Sequence, residues 1–195
     1  MLPRIFIFIG RSGSGKGTQA TLLIELLRRK DTKNEVLYVS TGEEFRKIIS
    51  ADNFTAAKAR EIVDSGRFGP AFLAVMMWAQ VLTREYKKGE HLVIDGSPRT
   101  VPEAMVLGTV FGFYELSPVV IHIDVSREWA SQKLRDRGRN DDTEAGISSR
   151  QNLFEKEIVP ILTMYRQEKK IPMIKVNGEQ AIKEVHRELL SKLTL

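Results

Sequence analysis

Ile5-Phe6-Ile7-Phe8-Ile9-Gly10-Arg11-Ser12-Gly13-Ser14-Gly15-Lys16-Gly17-Thr18 is an apolar run that empties into a glycine loop. The next residues, Gln19-Ala20-Thr21-Leu22-Leu23-Ile24-Glu25-Leu26-Leu27, read as an amphipathic helix. Strand, loop and helix in that order are the context a phosphate-binding loop requires. Glycines let successive backbone N–H groups turn toward one anion, and the helix N-terminus adds its positive dipole end. Lys16 supplies a mobile charge for β- and γ-phosphates. Gly13, Ser14, Gly15, Lys16, Gly17 and Thr18 are therefore candidate contacts of a nucleoside triphosphate. An ordinary Gly-rich turn would explain neither the lysine nor its spacing. One departure matters: Gly17 stands where the general pattern has the Ser or Thr that holds magnesium. The hydroxyl comes one step later, at Thr18, so the metal is expected to rest on phosphates, water and a carboxylate from elsewhere, with Thr18 as a secondary ligand.

The 195 residues, 42% of them hydrophobic, suffice for one substantial core, hence a single domain with small insertions. There is no cysteine, so neither a disulfide framework nor a Cys-bearing zinc site is available. His91, His122 and His186 lie far apart and show no ligand spacing; each is expected at the surface or the core edge. The apolar N-terminus is too short for a signal peptide and runs into the glycine loop. No segment approaches the length of a membrane span. A cytoplasmic monomer without membrane partners is the expectation. The net charge of +5 raises nucleic acid as a partner. Part of the excess sits at Arg135, Arg137, Arg139 and Arg150 without interleaved aromatics, and polyphosphate substrates account for it. No nucleic-acid partner is expected.

Apolar runs recur at Ile5–Ile9, Val36–Val39, Leu92–Ile94, Val119–Ile123 and Ile171–Val176, separated by helical patterns at 16–30, 69–88, 100–113, 126–135, 143–169 and 179–193. That alternation predicts an α/β fold, a five-stranded parallel sheet with helices on both faces. Between the second and third runs the periodicity gives helices over 41–50, 54–65 and 69–88 rather than one, so a helical insertion is expected there. Asp136-Arg137-Gly138-Arg139-Asn140-Asp141-Asp142 reads as a loop, and Pro160 should kink the long helical stretch that contains it.

Three further groups carry chemistry. Ser40-Thr41-Gly42-Glu43-Glu44-Phe45-Arg46 follows the second strand; Thr41 with Glu44 reads as a capping box, and Arg46, a turn further on, can present a fork to a phosphate. In Asp95-Gly96-Ser97-Pro98-Arg99-Thr100, Asp95 ends a buried strand, where ligands bind in open α/β sheets, and can hold magnesium through water. Arg99 can address a second phosphate. Arg137, Arg139 and Arg150 make the third group. Phosphoryl transfer needs such charges, because its transition state spreads negative charge over several oxygens.

Jointly these motifs resemble those of the adenylate kinases, a family of nucleoside monophosphate kinases, over nearly the whole chain and in the family's order. The resemblance rests on Gly-Lys-Gly-Thr-Gln at 15–19, Ser-Thr-Gly at 40–42 with Arg46, Asp-Gly-x-Pro-Arg-Thr at 95–100, Gly-Arg-x-Asp-Asp at 138–142 with Arg150, and the Val176-Asn177-Gly178 turn. It implies a P-loop NTPase fold and reversible transfer from Mg-ATP to AMP, giving two ADP. It also implies ATP phosphates on residues 13–18 and ATP adenine against Lys133 and the Gln180 backbone. AMP would be held by Thr41, Arg46, Arg67, Phe68, Gly69, Gly96, Arg99 and Glu103. The transferring phosphoryl would be gathered by Lys16, Arg99, Arg137, Arg139 and Arg150, with Asp95 orienting Mg2+. Residues 41–69 would be the monophosphate-binding flap and 134–142 a short lid, both closing to exclude water.

The chain departs from the family in three places. The lid is shorter even than the short form, Lys133 replaces an arginine against the adenine, and Glu103 stands where a glutamine reads the monophosphate base. A lysine head cannot stack as a guanidinium does. An ionised glutamate only accepts hydrogen bonds, so Glu103 either favours GMP or merely closes a capping box with Thr100. The alternatives are thus a kinase of the same fold acting on another monophosphate such as GMP, a nucleotide sensor without turnover, and a basic RNA-binding protein. Thr41 speaks against UMP and CMP, and the intact Lys16, Arg99 and lid arginines speak against a sensor.

Overall fold

The computed structural model describes residues 4–64, 67, 69–139, 141–168 and 171–193. Strands β1 (Ile5–Gly10), β2 (Val36–Ser40), β3 (His91–Asp95), β4 (Pro118–Asp124) and β5 (Met173–Asn177) form one sheet in the order β2-β3-β1-β4-β5. All its pairings are parallel. The central strand explains why residues 5–9 are apolar without alternation: both faces are covered, and no side chain from Ile5 to Ile9 is more than 3% exposed. Helices α1 (Lys16–Lys30) and α9 (Ile182–Leu193) cover one face, over Phe6, Phe8, Ile121 and Val176. Helices α4 (Ala71–Glu85), α5 (Val101–Phe113) and α8 (Val159–Gln167) cover the other, over Ile5, Ile7, Ile9 and Leu92. Trp78 of α4 is 1% exposed and anchors that second layer.

Between β2 and β3 the chain makes α2 (Thr41–Ile49), α3 (Phe54–Asp64) and α4, the surplus the periodicity predicts. The remaining helices are α6 (Arg127–Arg137) and α7 (Glu144–Leu153). Among the described residues no helix is long and apolar enough to cross a membrane.

Several local expectations need correction. The sheet is joined at Met173, two residues after the apolar run begins at Ile171. Helix α6 absorbs Asp136 and Arg137 from the string read as a loop, and ends where the Gly138 N–H bonds to Leu134 O at 3.2 Å. Charged residues with good helix propensity hide a helix end when nothing apolar marks its face. The cap of α2 is Ser40, whose hydroxyl accepts from the Glu43 N–H at 3.4 Å, not Thr41. Ser40 still pairs with Asp95 in the sheet, which holds it in the extended conformation a cap needs. The stretch 143–169 is helical from Glu144 to Gln167, with its irregularity a π turn, Phe154–Ile158, set between α7 and α8. Pro160 falls in the first turn of α8, directly after the π turn, and lacks the N–H that would bond back into it.

Two of the histidines are buried outright, His91 at 0% and His122 at 5% exposure. His91 Nδ1 accepts the Arg4 N–H at 3.0 Å, which leaves Nε2–H facing Asp31 Oδ2 at 3.2 Å. Burial, opposed by Asp124, pushes His122 down to about 4.

Candidate nucleotide site

A cleft of about 1370 Å³ opens over the carboxyl ends of β1 and β3. There the connection from β1 leaves toward β2 and that from β4 toward β5, the divergence at which open α/β sheets bind ligands. The glycine loop forms its floor. Gly13 has φ 90°, and a Cβ there would lie 2.4 Å from Ala130 O, so only glycine fits. Gly15 caps α1 without a side-chain hydrogen bond, leaving the first helical N–H groups open toward an anion. Ser14 Oγ, buried in the same loop, has no hydrogen-bond partner among the described residues. Lys16 Nζ donates to Arg11 O at 3.3 Å. Burial holds its ammonium below the ordinary lysine value; Asp95 opposes the shift, and Arg99, Arg137 and Arg150 reinforce it.

Asp95 stands opposite, at the end of β3. Its Oδ2 accepts from Tyr38 OH at 3.2 Å, and its buried Oδ1 has no hydrogen-bond partner among the described residues. A Cβ on Gly17 would lie 3.2 Å from Oδ2, tight for any neighbour. The position after the lysine is therefore backbone only, and the carboxylate reaches over it. An unpartnered buried carboxylate oxygen in a phosphate-binding cleft fits a hydrated divalent cation. Thr18 lines the same cleft and is exposed. Burial and the Asp95 charge push the Tyr38 hydroxyl up, which keeps it a donor.

The cations come from separate elements. Arg46 of α2 and Arg99 line one side, and Arg99 Nε donates to Gly96 O at 2.8 Å. Arg137 closes α6 and pairs with both oxygens of Asp142, at 2.8 and 2.7 Å. Arg150 of α7 donates to Asp142 Oδ1 at 2.6 Å, Asp141 Oδ2 at 2.8 Å, Asp141 O at 2.9 Å and Gly146 O at 3.2 Å. Against burial, these bonds from Arg137 and Arg150 hold the Asp142 carboxyl below its usual range. The Arg139 guanidinium makes no hydrogen bond or ion pair with the described residues. Burial lowers it, and Arg137 and Arg46 add to the shift.

The base-contact candidates divide. Arg67, Gly69, Gly96, Lys133 and Gln180 line the cleft. Lys133 Nζ lies 4.6 Å from the centroid of the Trp129 ring, itself a cleft residue. Gln180 Nε2 bonds to Asn177 O at 3.0 Å and Glu188 Oε2 at 2.7 Å, fixing the turn after β5. Thr41 and Glu103 are not brought to the cleft. Thr41 is 1% exposed and its hydroxyl bonds to Ser97. Glu103 is 1% exposed: Oε1 accepts from Trp78 Nε1 at 3.1 Å and Oε2 from the Arg99 N–H at 2.7 Å. Its own N–H bonds to Thr100 Oγ1 at 3.3 Å, completing a variant of the capping box. Phe68 lies outside the described residues. Tyr38 and Trp129 escape sequence reasoning, because contacts with Asp95 and Lys133 come from strand pairing and one helical turn that no motif marks.

A model of the adenylate kinase family matches residues 8–170. The chain is similar to the adenylate kinase of Mycobacterium sp. (strain MCS), 33% identical over 165 residues, 84% of this chain and 87% of that one. It is 30% identical to adenylate kinase 1 of Nostoc sp., over 96% of this chain and 97% of its own length. With the adenylate kinase of Corynebacterium aurimucosum it shares 29% identity over 96% and 98% of the two chains.

Proposed function

The chain belongs to the adenylate kinase family and catalyses reversible phosphoryl transfer from ATP to AMP, and we propose that Lys16 and the arginines Arg99, Arg137, Arg139 and Arg150 carry the charge of that transfer while Asp95 holds magnesium through water. One observation carries this reading. Lys16, Arg46, Arg99, Arg137, Arg139 and Arg150, drawn from separate elements, all line the one cleft over the glycine loop, a concentration of positive charge suited to polyphosphates. The attacking AMP phosphate is already an anion, so no general base is needed. What remains is alignment and charge stabilisation.

In this reading residues 13–18 bind the ATP phosphates. Lys133, Gln180 and the flat Trp129 face its adenine, and Arg46, Arg67, Gly69, Gly96 and Arg99 bind AMP. Residues 41–69 act as the monophosphate flap and 134–142 as the lid. Both nucleotide sites lie in one cleft of one chain, which supports a working monomer. Magnesium, when bound, would supply positive charge to the reacting phosphates. Asp95 would hold it, since Gly17 offers no hydroxyl and Oδ1 has no partner among the described residues. Asp95→Asn is expected to leave ATP binding near that of the parent, lower kcat and raise the magnesium concentration needed for half-maximal rate. An unchanged magnesium titration would remove Asp95 from the site.

Substrate choice is tested by a coupled ADP assay with ATP against AMP, GMP, CMP and UMP. AMP is expected to be used best, and a faster rate with GMP would overturn the assignment. Glu103 bears on this choice. Both its oxygens accept from buried donors, and a glutamine would set its amide N–H against one of them. Glu103→Gln is therefore expected to lower stability by about 1–3 kcal/mol, the penalty of one buried donor left unpaired. The AMP-to-GMP ratio of kcat/KM should stay unchanged. Thermal unfolding and the two kinetic constants read both effects. A shifted ratio would put Glu103 at the base after all.

A further inference from the structure

We propose that Arg11, which does not itself line the cleft, is a positioning residue that locks the phosphate loop to the helix carrying Arg150. The inference rests on the role given above to Lys16 and Arg150. Arg11 is the first residue after Gly10, yet its side chain is only 11% exposed. Nε donates to Val125 O at 3.2 Å, one terminal nitrogen to Gln151 Oε1 at 3.4 Å, and the other to the carboxylate of Glu155. The guanidinium carbon also lies 4.2 Å from the centroid of the Phe154 ring. One planar head thus joins the loop, the end of β4, α7 and the π turn. A lysine, with a single point of charge, could not reach all of these at once.

The clamp is double-sided. Gln151 is 0% exposed and returns a bond from Nε2 to Ser12 O at 3.2 Å, so residues 11 and 12 are each tied to the same helical segment. The Arg11 carbonyl in turn accepts from the Ser14 N–H at 3.0 Å and from Lys16 Nζ at 3.3 Å. Gln151 is the neighbour of Arg150. Through these links the lysine of the loop and the arginine of α7, separated by 134 positions in the chain (150 less 16), share one rigid connection. Phosphoryl transfer is sensitive to such spacing, since a displacement of about 1 Å in a catalytic group can lower rate on the order of 10²-fold.

A double-substitution cycle tests this. Arg11→Ala is made in the parent and in the Arg150→Ala background, and kcat, KM for ATP and KM for AMP are measured well below the unfolding temperature. Positioning through Arg150 predicts a kcat loss on the order of 10-fold in the parent, KM values within about threefold, and less than about a twofold further loss when Arg150 is already absent. The same fractional loss in both backgrounds would overturn the proposal, as would an unchanged kcat with only a lowered Tm. Normal activity of Arg150→Ala alone would instead remove Arg150 from the reaction, a distinct failure. Should Arg11→Ala not fold, Glu155→Gln takes its place. Glu155 is 50% exposed, so its exchange weakens one arm of the clamp without opening the core. A kcat loss that vanishes in the Arg150→Ala background supports the clamp, and its absence or persistence there opposes it.

Discussion

Lys16→Met is expected to lower kcat on the order of 10²-fold or more, the effect of removing one preorganised electrostatic donor, and to leave the fold intact. Methionine matches the unbranched stem, so the loop keeps its packing. Among the described residues, the one hydrogen bond lost is that from Nζ to Arg11 O at 3.3 Å. The charge removed is one that burial and the neighbouring arginines already disfavour, so stability should not fall. Transfer suffers because the charge developing between the β- and γ-phosphates loses its nearest mobile partner. A coupled ADP assay and thermal unfolding together check this. Activity within a few-fold of the parent would show that the loop does not hold the reacting phosphates.

Arg150→Ala is expected to reduce kcat by about 10²-fold or more while KM for ATP moves far less, because the guanidinium acts on charge that develops in transfer. The interpretation needs a companion, since Arg150 also ties down the turn around Asp141 and Asp142. Arg139→Ala supplies it. Its backbone alone bonds into that turn, the N–H donating to Asp142 Oδ2 at 3.1 Å and the carbonyl accepting from the Asp142 N–H at 2.8 Å, so its side chain can be removed without loosening the scaffold. If both variants lose kcat with KM little changed, charge is the common cause. A change confined to KM for ATP would make both residues ground-state contacts and end their assigned role.

Most of the frame was legible in the sequence. Residues 5–9 have no polar member because β1 is covered on both faces, and helix α1 begins at Lys16 because the glycine loop ends there. The insertion between β2 and β3 showed itself as surplus helical periodicity. Two boundary errors have a common cause, a local signal with more than one reading. Ser40 and Thr41 are adjacent hydroxyls, and only the pairing of Ser40 with Asp95 decides which one caps. Pro160 announces a kink, but nothing local shows that the irregularity is a π turn at Phe154–Ile158, whose Phe154 and Ile158 pack into the core.

The site was legible where motifs are contiguous and illegible where the sheet makes the contact. Tyr38 meets Asp95 across 57 positions, and Arg11 meets Glu155 across 144. Glu103 is the instructive case. Its position suggested a base contact and its spacing from Thr100 a cap. The deciding partner was Trp78, 25 positions away on α4. Nothing in either local pattern names that indole.

The carboxylate of Asp142, 1% exposed and bound to Arg137 and Arg150, gives the cleft the character of an ion exchanger. A phosphate that engages these guanidinium groups takes over hydrogen bonds already in use, so each bond gained is set against one given up. Net affinity from this pair is then smaller than a count of contacts would suggest, as for other desolvated ion pairs. The reverse step benefits equally. A departing nucleotide leaves no bare cation behind, because the carboxylate reclaims its partners as the phosphate withdraws. For a reaction run in both directions, with similar polyphosphates as substrates and products, a swap of near-equal anions lets the cleft empty as readily as it fills.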